Sequence, residues 1–356
     1  MGQKLFQINK TNEGGYLKSD SQIVAGIAII MMFFFHFFAY PDLQPTENCY
    51  YAPFKHLNTP VEEIIAPFGQ LCVAIFAFNS GFIIAKLKQN YIHYKQNFIR
   101  GLKFLIGYWL VCLFFIVLSL TPFFYDIPDL KTLLLNLIGI DLSARANYMN
   151  VAHAWYVLYY ITLLLLAPTL ICIYNRTNLI QDIALYLLLV LVIPMLPLSI
   201  KSFLWPLSAS IMGYMTFKYS LFVKCKNKLT KYINKPVCIL LAAAFIFITF
   251  AMRHFLSQYN AWWRFDGIYS FLFIFSILLI IELIPSILKE TLIFIGSIGM
   301  YLWFTHSIFA IGPTELKQIL YVPYIPILIV AWGLLLCLIP SLAFNKIHNF
   351  LTVKLG

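Results

Sequence analysis

Between Ser21 and Pro41 the chain runs through 21 residues that are long and apolar enough to cross a bilayer, with His36 as their only acidic or basic side chain. An ionisable group placed there costs insertion energy, about 3 kcal/mol on insertion scales, and so marks a functional candidate with a partner. A neutral imidazole, with its ordinary pKa near 6.5, suits removal of a proton from a hydroxyl, and an apolar setting favours the neutral form. Other residues of chemical interest are His306, the pair His153 and Trp155, and the cations Arg100 and Lys103. The last two lie three apart and share one helix face. Each has a plainer alternative. A histidine in a span can hydrogen-bond across a helix interface, cations at span ends can be topology signals, and interfacial Trp and Tyr can form a membrane belt.

The elements that position these groups are transmembrane helices. With 61% hydrophobic and 11% charged residues over 356 positions, the composition excludes a soluble globular domain, which carries about 25% charge. Apolar length and breaks predict an all-α integral membrane protein of ten spans. These are near 22–40, 62–86, 98–120, 152–174, 179–197, 202–218, 236–253, 266–286, 291–311 and 323–344. The sixth, with Pro206 and Gly213, is the weakest. Retaining it puts 18 of the 25 Lys and Arg on the side of the N-terminus and 7 opposite, whereas deleting it gives 12 against 13. The positive-inside rule therefore favours ten spans with both termini cytoplasmic.

This yields a tail over 1–20, a transmembrane domain over 21–345 and a second tail over 346–356. The first apolar run is too long for a signal h-region and reads as an uncleaved span. A net charge of +11 sits in short loops, including the Lys218 to Lys235 cluster. It is expected to meet anionic lipid, not nucleic acid. Seven cysteines without C-x-x-C spacing read as small apolar residues, with no metal site expected. The segment 121–151 is the one long outer connection, and its Leu130–Ile140 part is expected to lie on or dip into the membrane.

In this orientation His36 and His306 fall in the outer halves of spans one and nine, and His153 and Trp155 open span four from outside. Arg100 and Lys103 enter span three from the cytoplasm. Five strings in this order resemble the membrane-bound acyltransferase 3 family over nearly the whole chain. Gly26-Ile-Ala-Ile-Ile-Met-Met-Phe-Phe-Phe-His36 resembles the first span of that family, ending in its essential histidine. Ile75-Phe-Ala-Phe-Asn-Ser80-Gly81-Phe is similar to its F-x-x-S-G-F, and Arg100-Gly-Leu-Lys103 to its R-x-x-R with lysine in second place. His153-Ala-Trp155-Tyr-Val-Leu resembles its W-[FY] opening of span four. Gly296-Ser-Ile-Gly-Met-Tyr301-Leu-Trp-Phe-Thr-His306 resembles its S-Y-x-x-Y-L-x-H.

The resemblance implies an O-acyltransferase of the cell membrane that moves an acyl group, first of all acetyl, from cytoplasmic acyl-CoA to a hydroxyl of a cell-surface glycan or lipid-linked saccharide. Acetyl-CoA or another acyl-CoA is then a co-substrate, with no permanently bound cofactor. His36 would act as base or as acyl relay. Arg100 and Lys103 would hold the donor phosphates, a task for which Arg is best suited by its bidentate contacts. Asn79, Ser80, His153, Trp155, Tyr301 and His306 would stand at the acceptor or beside the histidine. Tyr148, Trp155 and Tyr156 have the aromatic faces that suit a sugar ring. One departure concerns the donor side: Ala25 occupies the place, eleven residues before His36 and about 16 Å inward, where the family carries Arg or Lys. Arg100 and Lys103 then suffice, or the donor site is divergent, or the chain is a degenerate member. The competing function is a transporter or flippase of a lipid-linked glycan. The absence of an obvious repeat and of paired acids inside the spans speaks against it.

Overall fold

The computed structural model describes residues 15–46, 48–87, 94–119, 130–137, 154–197, 200, 203–259 and 263–355. Among them the chain is almost wholly helical, and the sole sheet is the hairpin of β1 (Lys55–His56) and β2 (Thr59–Pro60). Leu57 and Asn58, both at positive φ, make its two-residue turn. The helices are α1 (Lys18–Phe38), α2 (Val61–Ile65), α3 (Leu71–Leu87), α4 (Tyr94–Ser119), α5 (Leu130–Leu137), α6 (Ala154–Asn175), α7 (Leu179–Val192) and α8 (Leu207–Lys218). There follow α9 (Leu221–Tyr232), α10 (Lys235–Ser257), α11 (Asp266–Ile280), α12 (Ser286–Ser297), α13 (Gly299–Thr305), α14 (Ser307–Ala310), α15 (Thr314–Tyr321) and α16 (Pro326–Thr352).

Among the described residues, seven continuous helical stretches are long and apolar enough to cross a membrane, and the broken pair α12 with α13–α14 makes an eighth. The protein is a multi-pass membrane protein. The fifth and sixth expected segments are the shorter helices Leu179–Met195 and α8. Several helices overrun the expected bounds by about a turn, and two differences are larger. The last helix continues to Thr352, past the expected end at 344. The ninth segment is not one helix: Ile298, between Gly296 and Gly299, leaves helical geometry at φ −105° and ψ 11°, and a second break follows at His306.

The chain forms two compact units, each drawing on several stretches. The first takes the described residues of Met1–Gly26, Val73–Ile92 and Thr169–Gly296. Its centre is α8, whose Ser208, Ala209, Ser210, Ile211, Gly213, Tyr214, Met215 and Thr216 are all buried. This burial explains why the weakest apolar segment in the sequence is nonetheless a core helix: protein, not lipid, surrounds it, so apolarity matters less than small size. Carbonyl oxygens of α3 and α8 lie against each other's glycines, Ser210 O against Gly81 and Phe78 O against Gly213. Ser210 Oγ donates to Ala77 O across the same crossing at 2.8 Å. Thr216, Thr249 and Ser276 return their hydroxyl protons to carbonyls four residues back, which satisfies them inside apolar helices.

Two ion pairs also sit in this unit. Fully buried Asp182 accepts from Lys218 Nζ at 2.6 Å and from the Tyr219 hydroxyl at 2.6 Å. Arg253 and fully buried Asp266 pair across α10 and α11, with contacts of 2.9 and 3.2 Å. Asn178 starts α7 through a capping box with Gln181, and Asn234 caps α10 just before Pro236.

The second unit takes the described residues of Ile27–Cys72, His93–Pro168 and Ser297–Gly356. Here α16 packs on α13 and α4. The end of α1 is held closely: Met31 O lies against Gly69, and the Phe37 ring against Gly333. The Tyr321 hydroxyl donates to Phe37 O, which ties α15 to the last turn of α1. Trp332 Nε1 donates to Ile319 O at 3.0 Å and Tyr51 N to Tyr324 O at 2.7 Å, fastening α15 and the turn after it. Trp109 Nε1 donates to Leu137 O at 2.6 Å, docking α5 on α4.

Candidate functional site

His36 lies in the last turn of α1, half-buried and flanked by Phe33, Phe35 and Phe37. Its ring meets that of His306, with centroids 4.7 Å apart and planes at 47°. His306 sits at the break between α13 and α14, fully buried, with the Phe33 ring at 5.6 Å. His306 Nδ1 contacts the carbonyl of Trp303. A carbonyl only accepts, so Nδ1 carries the proton and Nε2 is the nitrogen with the lone pair. Trp303 is itself fixed by stacking on Tyr156 of α6 at 5.4 Å.

A narrow recess opens beside His36, about 200 Å³ counting its solvent-facing part. With His36, its polar lining consists of Tyr40, Gln44, Lys317 and Tyr321. Tyr40 stands four residues beyond His36 with rings 6.4 Å apart, and Tyr321 packs against Tyr50 and Phe38 at 6.4 Å. Burial raises the phenols of Tyr50 and Tyr321, and for Tyr50 the adjoining Glu63 carboxylate, bonded at 2.9 Å, raises it further. These groups stay protonated and serve as hydrogen-bond donors. Burial lowers the Lys317 ammonium.

The expected donor cations stand elsewhere in the same unit. Arg100 Nη1 donates to Asn97 Oδ1 at 3.1 Å, and buried Asn97 donates to Leu164 O at 3.0 Å. Lys103 is half-buried one turn on, and its carbonyl receives His348 Nε2 at 2.8 Å. Neither cation lines the recess. Tyr301 packs on Phe344 and His348, with its hydroxyl beside Gly107, and also stands apart from the recess. Trp155 reaches the site indirectly, through its contact with Tyr156, which supports Trp303. Asn79 accepts from the Tyr16 hydroxyl at 2.8 Å, while Ser80 Oγ donates to Phe76 O at 2.9 Å, both within the first unit. Ala25 is half-buried on α1. His153 and Tyr148 lie outside the described residues.

Sequence reasoning missed Tyr40, Gln44, Lys317 and Tyr321. The spacing of Tyr40 from His36 is a helical i, i+4 signal that could have found it. The others reach the recess only through loop folding and the docking of α15.

Comparison with models of protein families matches residues 23–346 to an acyltransferase domain. No curated protein and no solved structure matches significantly.

Proposed function

The chain belongs to the acyltransferase 3 family, and from that premise we propose that it moves an acyl group from acyl-CoA to a hydroxyl of a cell-surface polysaccharide or its lipid-linked precursor. Acetyl is the simplest acyl group for this reading. The protein would reside in the cell membrane with ten crossings and both termini cytoplasmic, as the bias of 18 against 7 cations favours. What carries the reading is the His36–His306 pair beside a recess, on a chain of this family.

In direct transfer, His36 takes the proton of the acceptor hydroxyl as its oxygen bonds to the thioester carbonyl carbon. The C–S bond breaks, and CoA leaves as the thiol with that proton. In a relay, the imidazole nitrogen bonds to the acyl carbon first and CoA departs with a proton. The hydroxyl oxygen then displaces the imidazole, which keeps the hydroxyl's proton. Rapid quench followed by mass spectrometry of the His36 peptide separates the two, because only the relay leaves an acyl-imidazole. In both routes His306 is a positioning residue. With Nδ1–H given to the Trp303 carbonyl, its Nε2 keeps a lone pair, and its ring packs on that of His36 with centroids 4.7 Å apart, which would hold the His36 imidazole in place.

The test is His36→Ala in membranes given labelled acetyl-CoA and native envelope glycan. The expected loss is about 100- to 10,000-fold, the range for a general base. A stably inserted variant that esterifies glycan at the wild-type rate overturns the assignment. Neutralising Arg100 and Lys103 weakens acyl-CoA binding with little effect on acceptor binding, whereas unchanged donor affinity reduces them to topology signals.

A further inference from the structure

The recess beside His36 has an unusual charge balance for a site that would receive a sugar. Among its ten lining residues there is a lysine, a glutamine, an imidazole and two tyrosines, and no acid. Lys317 is half-buried, and its ammonium is disfavoured by desolvation, with no ion pair among the described residues. The Gln44 oxygen accepts from Cys49 Sγ at 3.5 Å, which leaves the amide N–H donors still to be answered. Its Nε2 is buried and has no hydrogen-bond partner among the described residues. No ion pair joins Lys317 to a described acid, and Glu62 has a buried carboxylate oxygen without a hydrogen-bond partner among the described residues. Glu63 accepts from the Tyr50 hydroxyl at 2.9 Å, while Asp42 and Glu315 are exposed.

A half-desolvated ammonium and an open amide donor are costly to hold beside an apolar wall unless a ligand satisfies both. An oxyanion does so, because it accepts from both groups and restores the charge balance that burial removed. Tyr321, kept protonated by burial, adds no competing negative charge.

We infer that Lys317 and Gln44 form a subsite for an anionic group on the acceptor, and that the acceptor is an acidic saccharide carrying a carboxylate or phosphate near the hydroxyl presented to His36. This rests on the acyltransferase reading and narrows its acceptor to one chemical class. Lys317 is a specificity-determining residue here: it selects the acceptor and takes no part in proton transfer.

The test uses the full-length protein in proteoliposomes with labelled acetyl-CoA and three forms of envelope glycan: native, carboxyl-reduced and dephosphorylated. Wild type is expected to lose about ten- to a hundredfold in kcat/KM on whichever treatment removes the recognised anion, the range for a charge-assisted hydrogen bond. The treatment that matters identifies the anion as carboxylate or phosphate. Lys317→Met is expected to fall to the rate of the neutralised glycan and to show no further loss on it, while Lys317→Arg keeps most of the preference. Wild-type transfer that is indifferent to both treatments overturns the inference and leaves the acyltransferase reading standing. A Lys317→Met loss of equal size on native and neutralised glycans also overturns it, since the residue would then act in transfer itself. If wild type transfers label to none of the three, the acyltransferase reading falls and the inference with it.

Discussion

Alanine at position 81 would bring its methyl carbon to 1.8 Å from the carbonyl oxygen of Ser210, and alanine at 213 would bring its own to 2.0 Å from Phe78 O. Ordinary contact begins at 3.4 Å, so each methyl falls about 1.5 Å short, and both obstacles are backbone, which cannot swing aside. The α3–α8 crossing must therefore open. Opening forfeits dispersion contacts along both helices and lengthens the Ser210 Oγ to Ala77 O bond from 2.8 Å. Overpacking costs about 1–3 kcal/mol, occasionally more, and rigid obstacles place these variants near about 3 kcal/mol each. Because one displacement relieves both clashes, Gly81→Ala/Gly213→Ala should cost little more than the worse single variant, a coupling of about 3 kcal/mol. Gly101→Ala is the control. Its methyl would meet only the flexible Ile161 Cδ1 at 3.4 Å, and the change should stay within about 0.5 kcal/mol. Reversible unfolding in mixed micelles by dodecyl sulfate titration, followed by tryptophan fluorescence, measures all four. A Gly81→Ala cost below about 1 kcal/mol, or fully additive costs in the double variant, would refute the close crossing.

Lys218→Met should destabilise by about 3–5 kcal/mol in the same assay, because it leaves the fully buried Asp182 carboxylate without its ammonium. Adding Asp182→Asn should recover much of that cost, and a single variant as stable as wild type would refute the buried pair. His306→Phe, which keeps the ring and removes both nitrogens, is expected to lower kcat about 10- to 100-fold with the KM for acyl-CoA unchanged. Loss through KM alone would show that His306 only shapes a binding surface. Cys49, whose thiol burial pushes up to about 11, holds about a hundredfold less thiolate near neutral pH than an ordinary thiol. Greater thiolate nucleophilicity offsets part of this, so maleimide should label Cys49 about tenfold more slowly than an engineered exposed cysteine in a chain lacking the other six. Its rate should climb with pH until about 11, and labelling as fast as the exposed control would contradict the burial.

How much of this was legible in the chain follows from what hydropathy measures. All ten apolar segments correspond to helices or broken helices, since a backbone in lipid must satisfy its hydrogen bonds within the segment, and that requirement is written in local apolar length. His36 was visible for the same reason, as an expensive group in an apolar run. Hydropathy does not separate a lipid-facing helix from a protein-facing one. That is why α8 looked weak although none of its residues is exposed. Nor does it foresee a break such as that at Ile298, where packing decides whether flanking glycines interrupt a helix or merely sit within it.

By itself the sequence determined the membrane class, the helical segments, the family strings and the one imidazole in the first apolar run. The tertiary structure decided which histidine meets His36, that Arg100 and Lys103 stand away from the recess, and that Asn79 meets Tyr16 while Ser80 bonds within its own helix. It alone brought Lys317 and Gln44 to His36, from residues 281 positions downstream of that histidine and 8 beyond it. The physical reason is range. Helix formation in lipid is settled by neighbours within a turn or two, whereas a binding recess is assembled by loops and short helices whose positions depend on long-range contacts such as Tyr321 to Phe37 O.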